Sequence, residues 1–292
     1  MPTDFSVELK TGQQFQGWVV GEKLGQGGFG SVYSVSKGDE VAAIKASYND
    51  LTTRNEAEVL KKLSALVQDR KPFPEFLSSS FDCSSRSPIH YLIMSIEGLP
   101  LDVLLQRSPT KSFSVSRALT VLCCGVEALR SLFLFKIVHR DLKPANFLVG
   151  RSEDRATVCL SDFGLCTTLS GKGPRLEMRV LPKFRYSSVD VMNGLPYWYK
   201  DDLMALLFVV LSLAGERGFA HDDIEVRRKT KCALMEDAKI ISKGNKELRE
   251  AAEWICEMPR ATKTGKPFRP DTTELLAIIK KCPHYQENVI WI

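Results

Sequence analysis

Short apolar runs separated by turn-forming residues fill the first part of the chain. Residues 19–24, 31–36 and 40–46 are β-prone, and they are separated by a glycine-rich stretch and by Lys-Gly-Asp. Runs of this length with such breaks are typical of neighbouring strands. The pattern predicts an antiparallel meander that begins near Trp18, preceded by a polar N-terminal extension over residues 1–16.

The apolar period changes to that of a helix over residues 50–67. Glu56, Leu60, Leu63 and Val67 fall at i, i+4, i+7 and i+11, which places them on one stripe of an α-helix. Because the other members of this stripe are apolar, we expect the Glu56 carboxylate to point inward.

The remainder of the chain is mainly helical in pattern. A strand at residues 90–96 ends at Glu97-Gly98, and the later periodic segments predict helices at residues 101–107, 115–135, 201–214, 246–257 and 272–281. A β-rich first third followed by an α-rich remainder predicts an α+β fold. We expect a small antiparallel β lobe with one helix and a large, mainly α-helical lobe.

Composition and charge are those of an ordinary globular domain. Of the 292 residues, 44% are hydrophobic and 26% are charged, which suffices for a large core. The net charge of +5 favours acidic or phosphorylated partners but is small for a nucleic-acid-binding domain. The eight cysteines lack C-x-x-C spacing, so we expect neither a zinc site nor a disulfide framework.

Two further observations bear on location. The N-terminus shows no signal-peptide pattern, and the most apolar run, residues 203–215, is short for a membrane span. We therefore expect a soluble monomer in the cytoplasm and the nucleus, without a membrane or nucleic-acid partner.

A glycine-rich motif lies in the predicted meander. Residues 25–32 read GQGGFGSV, which matches G-x-G-x-x-G-x-V. Taken alone, the motif also fits a dinucleotide-binding turn or a plain hairpin, but a dinucleotide fingerprint needs a helix after its last glycine. Here a β-prone run follows Gly30, so the sequence favours a hairpin whose backbone N–H groups approach ATP phosphates.

Lys45 ends the run Val-Ala-Ala-Ile-Lys on the third predicted strand. A buried ammonium is costly unless it is paired, and Glu56 is the natural partner. The pair would hold Lys45 against the α- and β-phosphates of ATP. The alternative is that Lys45 extends to solvent from an edge strand.

The most specific signal is H-R-D-L-K-P-A-N beginning at His139, with D-F-G beginning at Asp162, 21 residues after Asp141. This constellation is typical of phosphoryl transfer. Asp141 would accept or orient the proton of a substrate hydroxyl, and Lys143 would neutralise the γ-phosphoryl group. Asn146 and Asp162 would bind Mg²⁺ through oxygen ligands.

The chain resembles the protein kinase superfamily and, within it, the casein kinase 1 group with its tau-tubulin kinase branch. The resemblance covers roughly residues 17–282 and is carried by three stretches that read HRDLKPANFLVG, RYSSVD and KDDL, with no Ala-Pro-Glu motif. It implies a serine/threonine kinase that uses ATP and Mg²⁺. It also implies a small lobe at residues 17–97, a large lobe at residues 98–282 and a C-terminal tail at residues 283–292.

The resemblance also implies an adenine pocket. Met94 would be its gatekeeper and Ser95 to Gly98 its hinge, while Asp202 would be a buried carboxylate that supports the backbone of His139 and Arg140. The residues implied in ATP binding are Leu24, Gly25, Gly27, Gly28, Gly30, Val32, Ala43, Lys45, Met94, Ser95 and Ile96.

Two basic positions match an anion pocket that relatives in this group use for pre-phosphorylated substrates. Arg185 and Lys231 are similar to those positions, although Lys231 also lies in the basic run 227–231, which alternatively forms a solvated face. Where the group has a threonine, this chain has Lys183, and we hypothesise that it lowers the rate or faces solvent. The expected partners are protein substrates that are acidic or pre-phosphorylated.

Two other function classes compete with an active kinase. A pseudokinase or scaffold would keep the fold without efficient transfer, and a dinucleotide-dependent enzyme would use the glycine turn differently. The intact phosphate and metal residues argue against the first, and the strand after Gly30 argues against the second.

Overall fold

The computed structural model describes residues 5–48, 50–66, 71–83, 88–150, 157–169, 185–262 and 265–291. The small lobe is an antiparallel sheet in the strand order β1-β2-β3-β4-β6-β5. Its strands are β1 (Gln14–Phe15), β2 (Trp18–Gly27), β3 (Gly30–Lys37), β4 (Glu40–Ser47), β5 (Phe76–Asp82) and β6 (Ile89–Ser95). Helix α1 (Asp50–Ser64) follows β4 and packs on this sheet.

Strand β5 was not predicted from the sequence. Its seven residues, FLSSSFD, alternate between half-buried and exposed positions and include three serines. It lies at the edge of the sheet and pairs with β6 on one side. Strong β-propensity is not needed in such a position, since pairing with a neighbouring strand fixes the conformation.

The glycine-rich turn joins two strands, as the sequence predicted. Gly27 lies opposite Gly30 at the tip of the β2-β3 hairpin. Gly30 has φ +137°, and a Cβ atom added there would lie 2.6 Å from the carbonyl oxygen of Ala46. A glycine is required at this position because any side chain would collide with strand β4.

The N-terminal residues pack into the small lobe. Val7 and Leu9 are buried against the sheet, in the cluster that contains Val20 and Ile44. The Tyr33 hydroxyl donates to the Val7 carbonyl at 3.0 Å and accepts from the Leu9 N–H at 3.2 Å. Part of the predicted N-terminal extension is therefore packed into the small lobe. The alternation of Phe5, Val7 and Leu9 was the sequence signal for this segment, but it is short and lies in an otherwise polar stretch.

The large lobe consists mainly of helices. They are α2 (Leu101–Arg107), α3 (Val115–Leu134), α4 (Val189–Met192), α5 (Tyr199–Leu213), α6 (Ile224–Glu236), α7 (Arg249–Glu257) and α8 (Thr273–Lys281). Two small antiparallel pairs complete it: β7 (Ile137–Val138) with β10 (Thr167–Thr168), and β8 (Phe147–Val149) with β9 (Val158–Leu160). The α+β fold with two lobes is confirmed.

Helices α3 and α5 form the centre of the large-lobe core. They approach closely at Gly125, where an added Cβ would lie 2.5 Å from a methyl carbon of Leu206. Helix α5 is buried nearly all round, which explains the long apolar run in its sequence. Among the described helices, none has both the length and the apolar character needed to cross a bilayer.

Helix α6 was not predicted from the sequence. It contains the basic run 227–231, and the apolar residues of its sequence IEVRRKTKCALME do not form a helical stripe. Its inner face includes Arg227 and Lys231 as well as Leu234. A pattern search that counts charged residues as outward-facing misses a helix of this kind.

We predict that Leu9→Ala lowers the free energy of unfolding by about 2 kcal/mol, because a buried leucine truncated to alanine leaves a cavity. The adjacent change Lys10→Ala is the matched control, since Lys10 is exposed. Denaturant unfolding of both variants measures the difference. Equal stabilities of the two variants would show that the N-terminal segment is only loosely attached.

Candidate active site

Lys45, Glu56 and Asp162 meet at the boundary between the two lobes. The Lys45 Nζ lies 2.6 Å from Glu56 Oε2 and 2.9 Å from Asp162 Oδ1. Lys45 and Glu56 are buried, with 6% and 1% of their surfaces exposed. The expected Lys45–Glu56 pair is therefore formed, and the alternative in which Lys45 reaches solvent is wrong.

These three charges stabilise one another unequally. Burial alone would lower the pKa of Lys45, but the charges of Asp162 and Glu56 raise it above its usual value. Burial would raise the pKa of Asp162, but the Lys45 ammonium holds it below its usual value. Burial and the nearby charge of Asp162 raise the pKa of Glu56 above its usual value, although Lys45 acts to lower it. Lys45 therefore stays charged, and Asp162 stays ionised.

Helix α1 also binds the main chain of the D-F-G segment. The Phe163 N–H donates to Glu56 Oε1 at 3.2 Å. The Asn55 side-chain amide donates to the carbonyl oxygens of Phe163 at 3.2 Å, Gly164 at 3.0 Å and Cys166 at 2.8 Å. Asn55 was not predicted from the sequence. Its only sequence signal is a polar residue beside the inward stripe of a helix.

The catalytic loop places Asp141, Lys143 and Asn146 together. The Lys143 Nζ lies 2.6 Å from Asp141 Oδ2, and the Asn146 amide donates to the Asp141 carbonyl oxygen at 2.8 Å. The Asn146 carbonyl in turn accepts from the Ser161 N–H at 2.8 Å. Because Ser161 directly precedes Asp162, this bond connects the loop to the D-F-G segment.

Asp202 supports the start of the catalytic loop, as expected. Its carboxylate accepts from the His139 N–H at 2.6 Å, the Arg140 N–H at 3.0 Å and the Tyr197 hydroxyl at 2.7 Å. Arg140 has φ +75°, an uncommon conformation for a residue with a side chain. Two of these bonds come from the backbone itself, so the fully buried carboxylate holds the backbone in this conformation, and the bond from Tyr197 orients the carboxylate.

The residues expected around adenine lie on adjacent strands. Gly25 is opposite Val32, Val32 is opposite Lys45, and Ala43 is opposite Met94. Residues directly opposite each other share a face of the sheet, and so do residues two apart on one strand. Val32, Ala43, Lys45 and Met94 therefore face the same side.

The hinge is bonded to both lobes. The Ser95 hydroxyl donates to Glu97 Oε1 at 2.8 Å and accepts from the Glu75 N–H at 2.8 Å. The Gly98 N–H donates to the Val149 carbonyl at 2.8 Å. Ser95 lies opposite Ala42, so its side chain is on the other face of the sheet from Met94.

Comparison with known proteins identifies the family. The protein kinase domain family matches residues 18–288, which is most of the chain. The chain belongs to the protein kinase family.

Three curated relatives of this kinase are serine/threonine-protein kinases by name. A probable one from Dictyostelium discoideum is 26% identical over 208 residues, 68% of this chain and 40% of that protein. A probable one from fowlpox virus is 24% identical over 214 residues, 66% of this chain and 69% of that protein. A putative one from Caenorhabditis elegans is 24% identical over 282 residues, 91% of this chain and 78% of that protein. The chain thus spans less than half of the Dictyostelium relative.

The donor set at the centre of the kinase site fits Mg²⁺. The Lys45 ammonium lies between the carboxyl groups of Glu56 and Asp162 and keeps Asp162 in its ionised form. Among the hydrogen bonds of the described residues, none involves Asp162 Oδ2 or Asn146 Oδ1. A carboxylate and an amide oxygen are hard ligands of the kind that Mg²⁺ prefers.

The expected anion pocket is not formed as the sequence suggested. Lys231 is fully buried, and its Nζ donates to main-chain carbonyls, so it neither faces solvent nor is accessible to an external anion. The reason is its position on the inner face of α6. Arg185 is half-exposed and forms an ion pair with Asp222. Lys183 lies outside the described residues, so the hypothesis about it stays untested.

We predict that Asp202→Asn destabilises the fold by about 2 kcal/mol and lowers activity together with stability. The asparagine amide places an NH₂ group against one of three buried donors and leaves it unpaired. Urea unfolding monitored by tryptophan fluorescence measures the loss. A variant with unchanged stability would show that Asp202 is not the anchor of the catalytic loop.

Proposed function

We propose that this protein kinase transfers the γ-phosphoryl group of ATP to serine and threonine side chains of proteins, in the manner of the casein kinase 1 group. The observation that carries the proposal is the contact of Lys45 with both Glu56 and Asp162. A scaffold has no need to hold two buried charges and a partly buried third in this arrangement, because their desolvation is costly.

Each residue of the site has a separate role in the proposed reaction. The substrate hydroxyl oxygen attacks the γ-phosphorus, the bond from that phosphorus to the β–γ bridging oxygen breaks, and ADP leaves. Asp141 accepts or orients the hydroxyl proton, Lys143 offsets charge on the transferred group, and Lys45 holds the α- and β-phosphates. Mg²⁺, when held by Asp162 and Asn146, supplies further neutralisation of phosphate charge.

The membership in the casein kinase 1 group rests on sequence likeness. The stretches 139–150, 185–190 and 200–203 are similar to that group, and the Ala-Pro-Glu motif is absent. The three named relatives support serine/threonine specificity. We extend the proposal to acidic or pre-phosphorylated protein substrates, on the basis of Arg185 and the net charge of +5.

We predict that Asp162→Asn lowers Mg²⁺-dependent label transfer from ATP to casein at least about 100-fold, because nothing adjacent replaces the lost charge. Asp39→Asn, in an exposed turn of the small lobe, is the matched control. The thermal melting of both variants verifies that they are folded. Transfer at the wild-type rate by Asp162→Asn would exclude this metal site, and a wild-type protein that binds ATP without any transfer would be a scaffold.

We predict that Arg185→Ala raises the KM for an acidic or primed peptide about five-fold while leaving a neutral peptide unaffected, a change worth about 1 kcal/mol at an exposed site. Lys229→Ala, on the exposed face of α6, is the matched control. Steady-state kinetics gives kcat/KM for each peptide, and the ratio of the two values measures the preference for the acidic one. An unchanged ratio of kcat/KM between the two peptides would show that Arg185 does not select acidic substrates.

A further inference from the structure

Lys231 is a buried lysine that has no acidic partner among the described residues. Its Nζ donates to the carbonyl oxygens of Arg185 and Ser187, each at 2.8 Å, and lies 4.6 Å from the centre of the Phe208 ring. Burial, together with the charge of Arg227, lowers the pKa of Lys231 to about 7. A buried ammonium without a carboxylate is costly, so these contacts have to offset a substantial desolvation cost.

The two carbonyls belong to the segment 185–188, which leads into helix α4. Its last residue, Ser188, caps α4 by accepting from the Val191 N–H at 3.2 Å. The Ser188 hydroxyl also donates to Asp201 on α5. Asp202, the next residue of α5, holds the catalytic loop. The segment and the catalytic loop are therefore both fixed to the start of one helix.

Lys231 supplies the contact that fixes the other end of this segment. Ser187 is 5% exposed, and its carbonyl and that of Arg185 converge on one ammonium. An apolar side chain of similar length would leave both carbonyls without this donor. The presence of a lysine at position 231 is thus explained by the main-chain carbonyls that it binds, not by an anion from solution.

One turn earlier on α6, Arg227 makes the same kind of contact. Its guanidinium donates to the carbonyl oxygens of His221 at 2.5 Å and Asp222 at 3.1 Å. The Asp222 carboxylate in turn pairs with Arg185. Both inward-facing cations of α6 therefore support the position of Arg185, the residue that we propose to meet acidic substrates.

We propose that Lys231 is a positioning residue for the protein substrate: it holds the segment 185–188 in place beside the catalytic loop and so sets peptide affinity without contacting the peptide. This inference rests on the proposed kinase activity. It replaces the role of anion ligand that the sequence suggested for Lys231 with an internal one.

The test compares Lys231→Met with Lys229→Met. Methionine is similar in length but cannot donate, and Lys229 is exposed on the same helix. We expect Lys231→Met to raise the KM for a serine peptide about ten-fold, while the KM for ATP and kcat stay within about two-fold, and Lys229→Met to match the wild type. Hydrogen exchange should accelerate at residues 186–192 and stay unchanged at residues 139–146.

Several outcomes would overturn the proposal. A peptide KM and an exchange pattern like those of the wild type would show that Lys231 positions nothing, and a parallel change in peptide and ATP parameters would show a general core role. If Lys231→Met does not fold, Lys231→Gln keeps a polar donor on a shorter side chain that cannot reach both carbonyls, and it should show the same selective rise in peptide KM. If neither variant folds, Lys231 is a general folding residue. Absence of transfer by the wild type would count against the kinase activity, and the exchange comparison would still test the positioning.

Discussion

The ammonium of Lys45, buried between Glu56 and Asp162, is the interaction on which the active site depends. Its partners are 11 and 117 residues away in the chain. Strand β4, helix α1 and the D-F-G segment must therefore all be in place before the charges are paired. Removing one partner of a buried ion pair typically costs about 3–5 kcal/mol, since the remaining charge is left without compensation.

This constraint explains why polar contacts surround the cluster. Asn55 and Glu56 both bind the backbone of the D-F-G segment, so helix α1 cannot move away without breaking those bonds as well as the ion pair. Ser161 connects the same segment to Asn146 in the catalytic loop. The buried lysine, the D-F-G segment and the catalytic loop are consequently positioned as one unit. In the large lobe, Asp201 binds Ser188 and Asp202 binds the backbone of His139. Helix α5 therefore holds both the segment 185–188 and the start of the catalytic loop.

The sequence predicted the parts of the molecule in which pattern and packing agree. Helices α2 and α3 appear close to their predicted bounds, and Glu56 points inward because its stripe is otherwise apolar. Residues whose polarity does not match their burial were not predicted. Lys231 has a charged side chain that turns inward to bind carbonyls, and no periodicity argument reveals such acceptors.

Long-range contacts were also beyond the reach of sequence patterns. Asn55 binds residues more than a hundred positions away, and Val7 and Leu9 fill space in a core that forms only when the sheet is assembled. The motif residues were recognisable because phosphoryl transfer restricts their types and spacing. Supporting residues such as Asn55 and Lys231 are selected by main-chain groups that are distant in the sequence, so a single sequence does not reveal them.

The most direct test of this account is the kinase activity of Glu56→Gln, with Glu58→Gln on the exposed face of α1 as its control. The measurement is kcat/KM for label transfer from ATP to casein in the presence of Mg²⁺. If the buried charge cluster organises the site, Glu56→Gln loses activity about 100-fold or more, in line with the cost of breaking a buried pair, and Glu58→Gln matches the wild type. Wild-type activity in Glu56→Gln would contradict the account, because the site would then work without the interaction that assembles it.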